Sequence, residues 1–266
     1  MQSALQAALR QLNAPDHDVV ILAGIGCSGT IQNNLGTYGY HAQHGRVLPA
    51  ATGLALSNPS LTVVAAGGDG DGYAIGVGHL VHAFRRDVSF TYIVMNNETY
   101  GLTKGQHSPT RAFEYPSHAE APLDAVAMGL SIGSTSFVAR GYSGWYDQLV
   151  RLTTAALLHA REKRGFAFLE VISPCVTYQD SYPRWEHALC DVDADASYDP
   201  TDRAAALALT LEVQKRGQLP TGLIYRAPAG ARAVYPAPAQ SELRSAALTT
   251  RYEEIMDGYA VAVDLQ

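Results

Sequence analysis

Charge is scarce in this chain. Of its 266 residues 17% are charged, 19 Lys or Arg against 25 Asp or Glu. The resulting net charge of −6 lacks the basic footprint of a nucleic-acid binder. Cysteine is scarcer still: Cys27, Cys175 and Cys190 are too few and too scattered for a disulfide scaffold. No apolar run approaches the roughly 18 residues of a membrane helix. Residues 1–10 lack the basic start and continuous apolar core of a secretory signal. These absences lead to the expectation of a soluble, cytoplasmic chain with reduced thiols and no membrane or nucleic-acid partner. What is present is an ordinary globular mix, 47% hydrophobic with 24 Gly and 13 Pro.

Leu5, Leu9 and Leu12 recur at helical spacing over residues 2–12, and Asn13-Ala-Pro-Asp ends that helix. Four short apolar runs, at 19–23, 61–66, 90–95 and 166–172, read as strands buried on both faces. Helices are expected at about 76–86 and 145–164. This alternation predicts an α/β fold, a mostly parallel sheet with helices on both faces. Past about Pro174 prolines, tyrosines and acids crowd 178–202. One helix is expected at 201–216, followed by a Pro/Ala/Gly-rich passage at 227–239. The expected division is a core domain over 1–185 and a C-terminal arm over 186–266, packed on the core or on a partner subunit, or else partly flexible.

In such sheets ligands gather beyond the carboxyl ends of the strands. The first such junction, Gly24-Ile-Gly-Cys-Ser-Gly29, has the form of a dinucleotide fingerprint. That fingerprint needs an acid about 20 residues on, and no Asp or Glu occurs from Val19 to Gly68. The same stretch carries His41, His44 and Arg46, which suits an anionic ligand or is accidental.

The second junction is Gly67-Gly-Asp-Gly-Asp-Gly-Tyr73 and the third Asn96-Asn-Glu-Thr-Tyr-Gly101. Twenty-five residues (71–95) separate Gly70 from Asn96, room for one helix and one strand. Asp69 and Asn97 would then meet at one sheet edge with a backbone carbonyl. Such hard oxygens suit Mg²⁺ that keeps phosphate oxygens in its octahedron. Glycines around Asp69 would admit a diphosphate, and a following helix N-terminus would favour it. Taken singly, Gly-Asp-Gly is more often a turn and Asn-Asn a strand terminator.

Together these elements resemble the thiamine diphosphate signature. Several segments stand in the order found in the β subunit of 2-oxoacid:ferredoxin oxidoreductases: Gly24-Ile-Gly-Cys-Ser, Thr37-Tyr-Gly-Tyr-His, His44-Gly-Arg-Val-Leu-Pro-Ala-Ala-Thr-Gly53, Asn97-Glu-Thr-Tyr-Gly-Leu-Thr-Lys-Gly-Gln-His-Ser-Pro-Thr110 and Ser173-Pro-Cys-Val-Thr-Tyr178. The resemblance covers residues 1 to about 185, a thiamine diphosphate- and Mg-binding domain, and Thr221-Gly-Leu-Ile-Tyr-Arg226 extends it. It implies CoA-dependent oxidative decarboxylation of a 2-oxoacid, with electrons passed to ferredoxin, or the reverse carboxylation. It also implies an α partner, in a heterodimer or a dimer of heterodimers, without which this chain is inactive.

Carried over residue by residue, Asp69, Asn97 and the Thr99 carbonyl would ligate Mg²⁺. Gly26, Cys27, Ser28, His44, Gly68, Gly70, Asp71, Gly101, Leu102 and Thr103 would complete the cofactor site. His44 and Arg46 are expected to polarise the 2-oxo group and hold its carboxylate, His44 being equally suited to a structural role. Thr103 is expected to hydrogen-bond near the reacting carbon. Tyr100-Gly-Leu-Thr-Lys-Gly-Gln106 resembles members that accept 2-oxoglutarate, where pyruvate-dedicated relatives tend to have glycine at Lys104. That ammonium suits a distal carboxylate; a solvated loop lysine, or one paired with the diphosphate, is the alternative.

The family's [4Fe–4S] cluster takes four cysteines, and Cys27 and Cys175 stand in two of those places. The leading Cys-x-x-Cys pair is absent, Met1 falling inside the helix that follows it in the family. A segment lost ahead of Met1 and a true variant both explain this; the coincidence of the start favours the first. The chain as written is expected to carry no intact cluster. Two other functions remain open: a non-oxidative thiamine diphosphate-dependent decarboxylase or carboligase, and an inert cofactor-holding subunit.

Overall fold

The computed structural model describes residues 1–111, 113–114, 119–178 and 180–230. The remainder of the expected arm, 231–266, including most of the Pro/Ala/Gly-rich passage, lies outside the described residues. The chain runs through α1 (Gln2–Gln11), β1 (Val19–Ala23), β2 (Tyr38–His41), α2 (Val47–Ser57), β3 (Thr62–Gly68), α3 (Val77–Arg86) and β4 (Thr91–Asn96). Two short hairpins follow, β5 (Thr99–Tyr100) with β6 (Gln106–His107) and β7 (Phe113–Glu114) with β8 (Ala119–Glu120). Then come α4 (Ala125–Ser131), β9 (Phe137–Tyr142), α5 (Tyr146–Arg161), β10 (Ala167–Ile172), α6 (Tyr182–Ala188), β11 (Leu189–Asp191), α7 (Arg203–Lys215) and β12 (Leu219–Arg226).

Eight strands form one sheet in the order β11-β12-β9-β10-β4-β3-β1-β2. Every neighbouring pair is parallel except β12 with β9, which run antiparallel. The expected mostly parallel α/β sheet is therefore present. Alternate residues of the apolar runs feed opposite layers, as the two-residue period of a strand demands. Val63, Ala65, Tyr92, Val94 and Phe168 pack with α2, α3 and α4 residues such as Leu48, Leu80 and Val126. Val64, Ala66, Ile93, Leu169 and Val171 pack on the other face with Leu5 of α1 and Leu152 of α5. No described helix is long and apolar enough to cross a membrane.

Residues 189–226 add two strands to this sheet, and α7 starts under the Asp202 cap, which accepts from the backbone N–H of Ala204 and Ala205. Helix α2 and strands β2, β9 and β12 were not expected from the sequence. Pro49 falls in the first turn of α2, where its missing N–H costs no helical bond. Arg140 and Gly141 interrupt the apolar run of β9, although all six of its residues are buried.

His159 near the end of α5 is buried, its Nε2 within 3.1 Å of Ser136 Oγ. Burial, then the nearby Arg164 and Arg226, push its pKa down to about 3. Unfolding restores a value near about 6.5, so between those limits the unfolded chain binds the extra proton. Stability is then expected to fall as pH drops through about 6 towards 3, by up to about 1.4 kcal/mol per pH unit from this group. Chemical denaturation of wild type and His159→Leu over that range checks it: the variant's slope should be shallower by that share.

Candidate functional site

A cavity of about 620 Å³ opens at the carboxyl end of β1, β3, β4 and β10. It is where the residues following those strands converge. After β3 the chain winds directly through Asp69 and Gly70 into a π-turn, Asp71–Ile75, a feature frequent at functional sites. After β4 the loop of residues 97–98 leads into the β5–β6 hairpin, which holds Thr99 opposite His107.

Asp69 is buried, and neutral donors converge on it. Its Oδ2 accepts from Ser108 Oγ, from Thr110 Oγ1 at 2.7 Å and from Glu98 N at 3.1 Å; Oδ1 accepts from Asn97 N at 3.4 Å. Burial nevertheless raises its pKa, outweighing the hydrogen bonds from Ser108, Thr110 and Asn97. A carboxylate desolvated this far favours either a proton or a cation. Asn97 Oδ1 accepts from Thr99 N at 3.0 Å, closing an Asx turn that leaves the oxygen a second lone pair.

Asp71, equally buried, organises the opposite wall. Its Oδ1 accepts from Ile25 N at 3.0 Å, Gly45 N at 2.8 Å and His44 Nδ1 at 2.8 Å. That bond makes Nδ1 the protonated nitrogen and leaves Nε2 of His44, a cavity residue, outside it. Gly24 is required here, because a Cβ would sit 2.0 Å from Asp71 Oδ2. Ser28 Oγ and Asp71 Oδ2 are buried without hydrogen-bond partners.

These two loops are tied together beneath the cavity. Glu170 in β10 accepts from Tyr73 Oη at 2.8 Å and Asn96 Nδ2 at 3.2 Å through Oε1, and from Arg140 Nε at 2.6 Å through Oε2. Arg140 is itself buried and donates to Asp124 at 2.9 Å. Burial alone would lower its pKa, but Asp124 and Glu170 raise it, so the guanidinium stays charged.

Every residue expected from the sequence to contact the cofactor lines this one cavity: Gly26, Cys27, Ser28, His44, Gly68, Asp69, Gly70, Asp71, Asn97, Thr99, Gly101, Leu102 and Thr103. Cys175 lines it too, so two of the three cysteines meet there, while Cys190 lies in β11. Arg46 and Lys104 do not. Arg46 is exposed and donates to the carbonyl of Ile75 at 3.3 Å. Lys104 is exposed on a left-handed residue, φ 68°, of the loop between β5 and β6. Sequence reasoning assigned no role to Ser108, Thr110, Tyr73, Arg140 or Glu170. Ser108, Thr110 and Tyr73 stand in segments it had singled out; Arg140 and Glu170 carried no spacing signal.

The arrangement fits a metal–diphosphate unit. One carboxylate, one amide oxygen and one main-chain carbonyl are too few for Mg²⁺ alone, and the described residues contain no group of three or more His, Cys, Asp or Glu side chains able to hold a metal. They are sufficient once phosphate oxygens complete the octahedron. The unpartnered Ser28 Oγ, 3.4 Å from where a Cβ on Gly68 would lie, supplies a polar contact beside a glycine wall. Two thiols do not fit a four-thiolate cluster, and no electron-transfer step is assigned to one.

Comparison with known proteins agrees with this geometry. Residues 24–171 match the family "Thiamine pyrophosphate enzyme, C-terminal TPP binding domain". Residues 175–231 match the family model for the C-terminal part of the pyruvate ferredoxin oxidoreductase beta chain. The β subunit of 2-oxoacid:ferredoxin oxidoreductase 1 of Aeropyrum pernix is 37% identical over 241 residues, 84% of this chain and 73% of that protein. The 2-oxoglutarate oxidoreductase subunit KorB of Mycobacterium tuberculosis is 37% identical over 65% of this chain and 46% of its own length. Among solved structures, the 2-oxoglutarate:ferredoxin oxidoreductase of Magnetococcus marinus, with 2-oxoglutarate, coenzyme A and succinyl-CoA bound, superposes with a TM-score of 0.78 at 31% identity. The match covers 99% of this chain and 85% of that one.

Asp69→Asn removes a charge that burial disfavours. The cofactor-free variant should therefore melt no lower than wild type. Its Mg²⁺-dependent affinity for thiamine diphosphate should fall by more than about 100-fold, beyond the 10–100-fold typical of groups that only orient a metal ligand. Thermal melts and calorimetric titration check both halves.

Proposed function

The chain belongs to the thiamine diphosphate-dependent 2-oxoacid:ferredoxin oxidoreductases as a β subunit, and from that premise we propose that it works on 2-oxoglutarate in the cytoplasm with an α partner. The proposed reaction converts 2-oxoglutarate and CoA to succinyl-CoA and CO₂ with two electrons leaving to ferredoxin, or runs in reverse. The observation that carries this reading is the convergence of Asp69, Asn97, Thr99 and His44 on one cavity, in a chain whose relatives include 2-oxoglutarate enzymes.

In this reading Asp69 and Asn97 bind Mg²⁺ through side chains and Thr99 through its carbonyl, while Ser28 and the glycines at 26, 68 and 70 face the diphosphate. When bound, thiamine diphosphate supplies the carbanion that attacks the 2-oxo carbon and takes up the electron pair released with CO₂. Everything else falls to the protein. His44, whose Nδ1–H donates to Asp71 Oδ1, would donate to the substrate's 2-oxo oxygen from Nε2 as the doubly protonated ring. Thr103, whose Oγ1 donates to Tyr100 O at 3.4 Å, bounds the cavity near the reacting carbon. Lys104, exposed and outside the cavity lining, would reach the distal carboxylate that distinguishes 2-oxoglutarate from pyruvate only if the β5–β6 loop turns its side chain inward. Arg46, turned to Ile75, serves the substrate carboxylate only if its side chain leaves that carbonyl. Cys27 and Cys175 both line the cavity, and two thiols alone do not make an iron–sulfur centre.

The test is CoA-dependent viologen reduction by the complex co-purified anaerobically with its α partner, with 2-oxoglutarate and pyruvate compared. The expected outcome is a kcat/KM for 2-oxoglutarate at least about tenfold above that for pyruvate, and loss of that margin in Lys104→Ala, the scale of one lost charged contact. Equal turnover of both substrates would overturn the substrate assignment. Thiamine diphosphate bound at one per chain without any reduction of the dye would instead favour a cofactor-holding role.

A further inference from the structure

Glu98 stands between two residues assigned to the metal, yet its side chain leaves the cofactor cavity. Its backbone is left-handed, with φ 60°, a conformation that a residue bearing a Cβ adopts only where its surroundings impose it. That turn aims the Glu98 N–H at Asp69 Oδ2, 3.1 Å away, and at Asn96 Oδ1, 3.2 Å away. Its buried carboxylate lines a separate cavity of about 390 Å³. There one oxygen accepts from Arg184 Nη2 at 2.5 Å, and the other has no partner. Arg184 belongs to α6, and its guanidinium lies 4.0 Å over the ring of Trp185, which is buried.

We propose that the Glu98–Arg184 pair is a latch that holds residues 97–99 in the left-handed turn, making Arg184 a positioning residue for the metal and diphosphate although it touches neither. The proposal rests on the reading of Asp69, Asn97 and Thr99 as metal-binding. A half-exposed ion pair contributes little by itself. Its leverage lies in choosing between backbone states. Released from Arg184, Glu98 relaxes towards negative φ, its N–H swings off Asp69, and the Asx turn that presents Asn97 opens. Glycine, which adopts positive φ without penalty, keeps the turn with no latch at all. The latch thus predicts that deleting the side chain entirely is milder than deleting its partner.

Four single variants, Arg184→Ala, Arg184→Lys, Glu98→Ala and Glu98→Gly, and the double variant Glu98→Gly/Arg184→Ala decide it, each co-purified with the α partner. Mg²⁺-dependent thiamine diphosphate binding is measured by calorimetry, and amide exchange at residues 97–99 is followed in the cofactor-free complex. Arg184→Ala and Glu98→Ala should each bind about tenfold more weakly, with faster exchange at those amides; Arg184→Lys should recover most of the affinity. Glu98→Gly should stay within about threefold of wild type, and adding Arg184→Ala to it should change nothing further, the signature of a shared pathway. Wild-type affinity in Arg184→Ala, or a Glu98→Gly chain as weak as Glu98→Ala, would overturn the latch. Wild type that binds no thiamine diphosphate with Mg²⁺ would bring down the metal-site reading itself, a result distinct from either.

Discussion

One carboxylate in the middle of the sheet holds the site together. Glu170, in β10, is almost wholly buried, and it is made tolerable there by Arg140, Tyr73 and Asn96. A buried charge of this kind is favourable only when its partners are all in place. The consequence is geometric: Tyr73 belongs to the π-turn that begins with Asp71, and Asn96 immediately precedes Asn97. The distance between the Asp69 loop and the Asn97 loop is thus set by a residue that contributes nothing to the cavity. Removing Glu170 would leave the Tyr73 hydroxyl and Arg140 Nε without their acceptor in the core, so the tie between the two loops rests on that one carboxylate.

The parts of this protein legible in its sequence are those with a strong single signal. Continuous apolar runs marked β1, β3, β4 and β10 because a central parallel strand is buried on both faces. β9 is just as central, but it carries Arg140 inside it, and the ion pairs that neutralise that guanidinium come from residues 16 and 30 positions away. No local pattern announces such a strand. β12 hides behind Pro220 and Gly222, and β2 presents four exposed residues at the sheet edge. The helix α2 hides behind a proline that its first turn accommodates.

The site divides the same way. Asp69 and Asn97 are recognisable because each follows a buried strand and because their spacing fits one helix and one strand. Ser108 and Thr110, which bond the same carboxylate from about 40 positions away, are visible only once the β5–β6 hairpin turns the chain back. Glu98 reads as an ordinary acid in a loop; its importance lies in a dihedral angle that the residue type disfavours. Arg46 and Lys104 illustrate the converse: proximity in sequence to cavity residues did not bring their side chains into the cavity.

The strand order also has a bearing on how the chain is made. β4 lies between β3 and β10, and β9 between β10 and β12. A ribosome delivers residues from the N-terminus, so β4 emerges with one edge open and stays so until β10 follows about seventy residues later. β9 in turn waits for β12. Over that interval the nascent protein presents an unpaired apolar strand edge, the kind of surface that invites pairing with a wrong neighbour. Tyr73 Oη and Asn96 Nδ2 likewise lack their acceptor until Glu170 has been synthesised. The pocket therefore cannot form before the chain has been made through Thr177, the last residue of its lining.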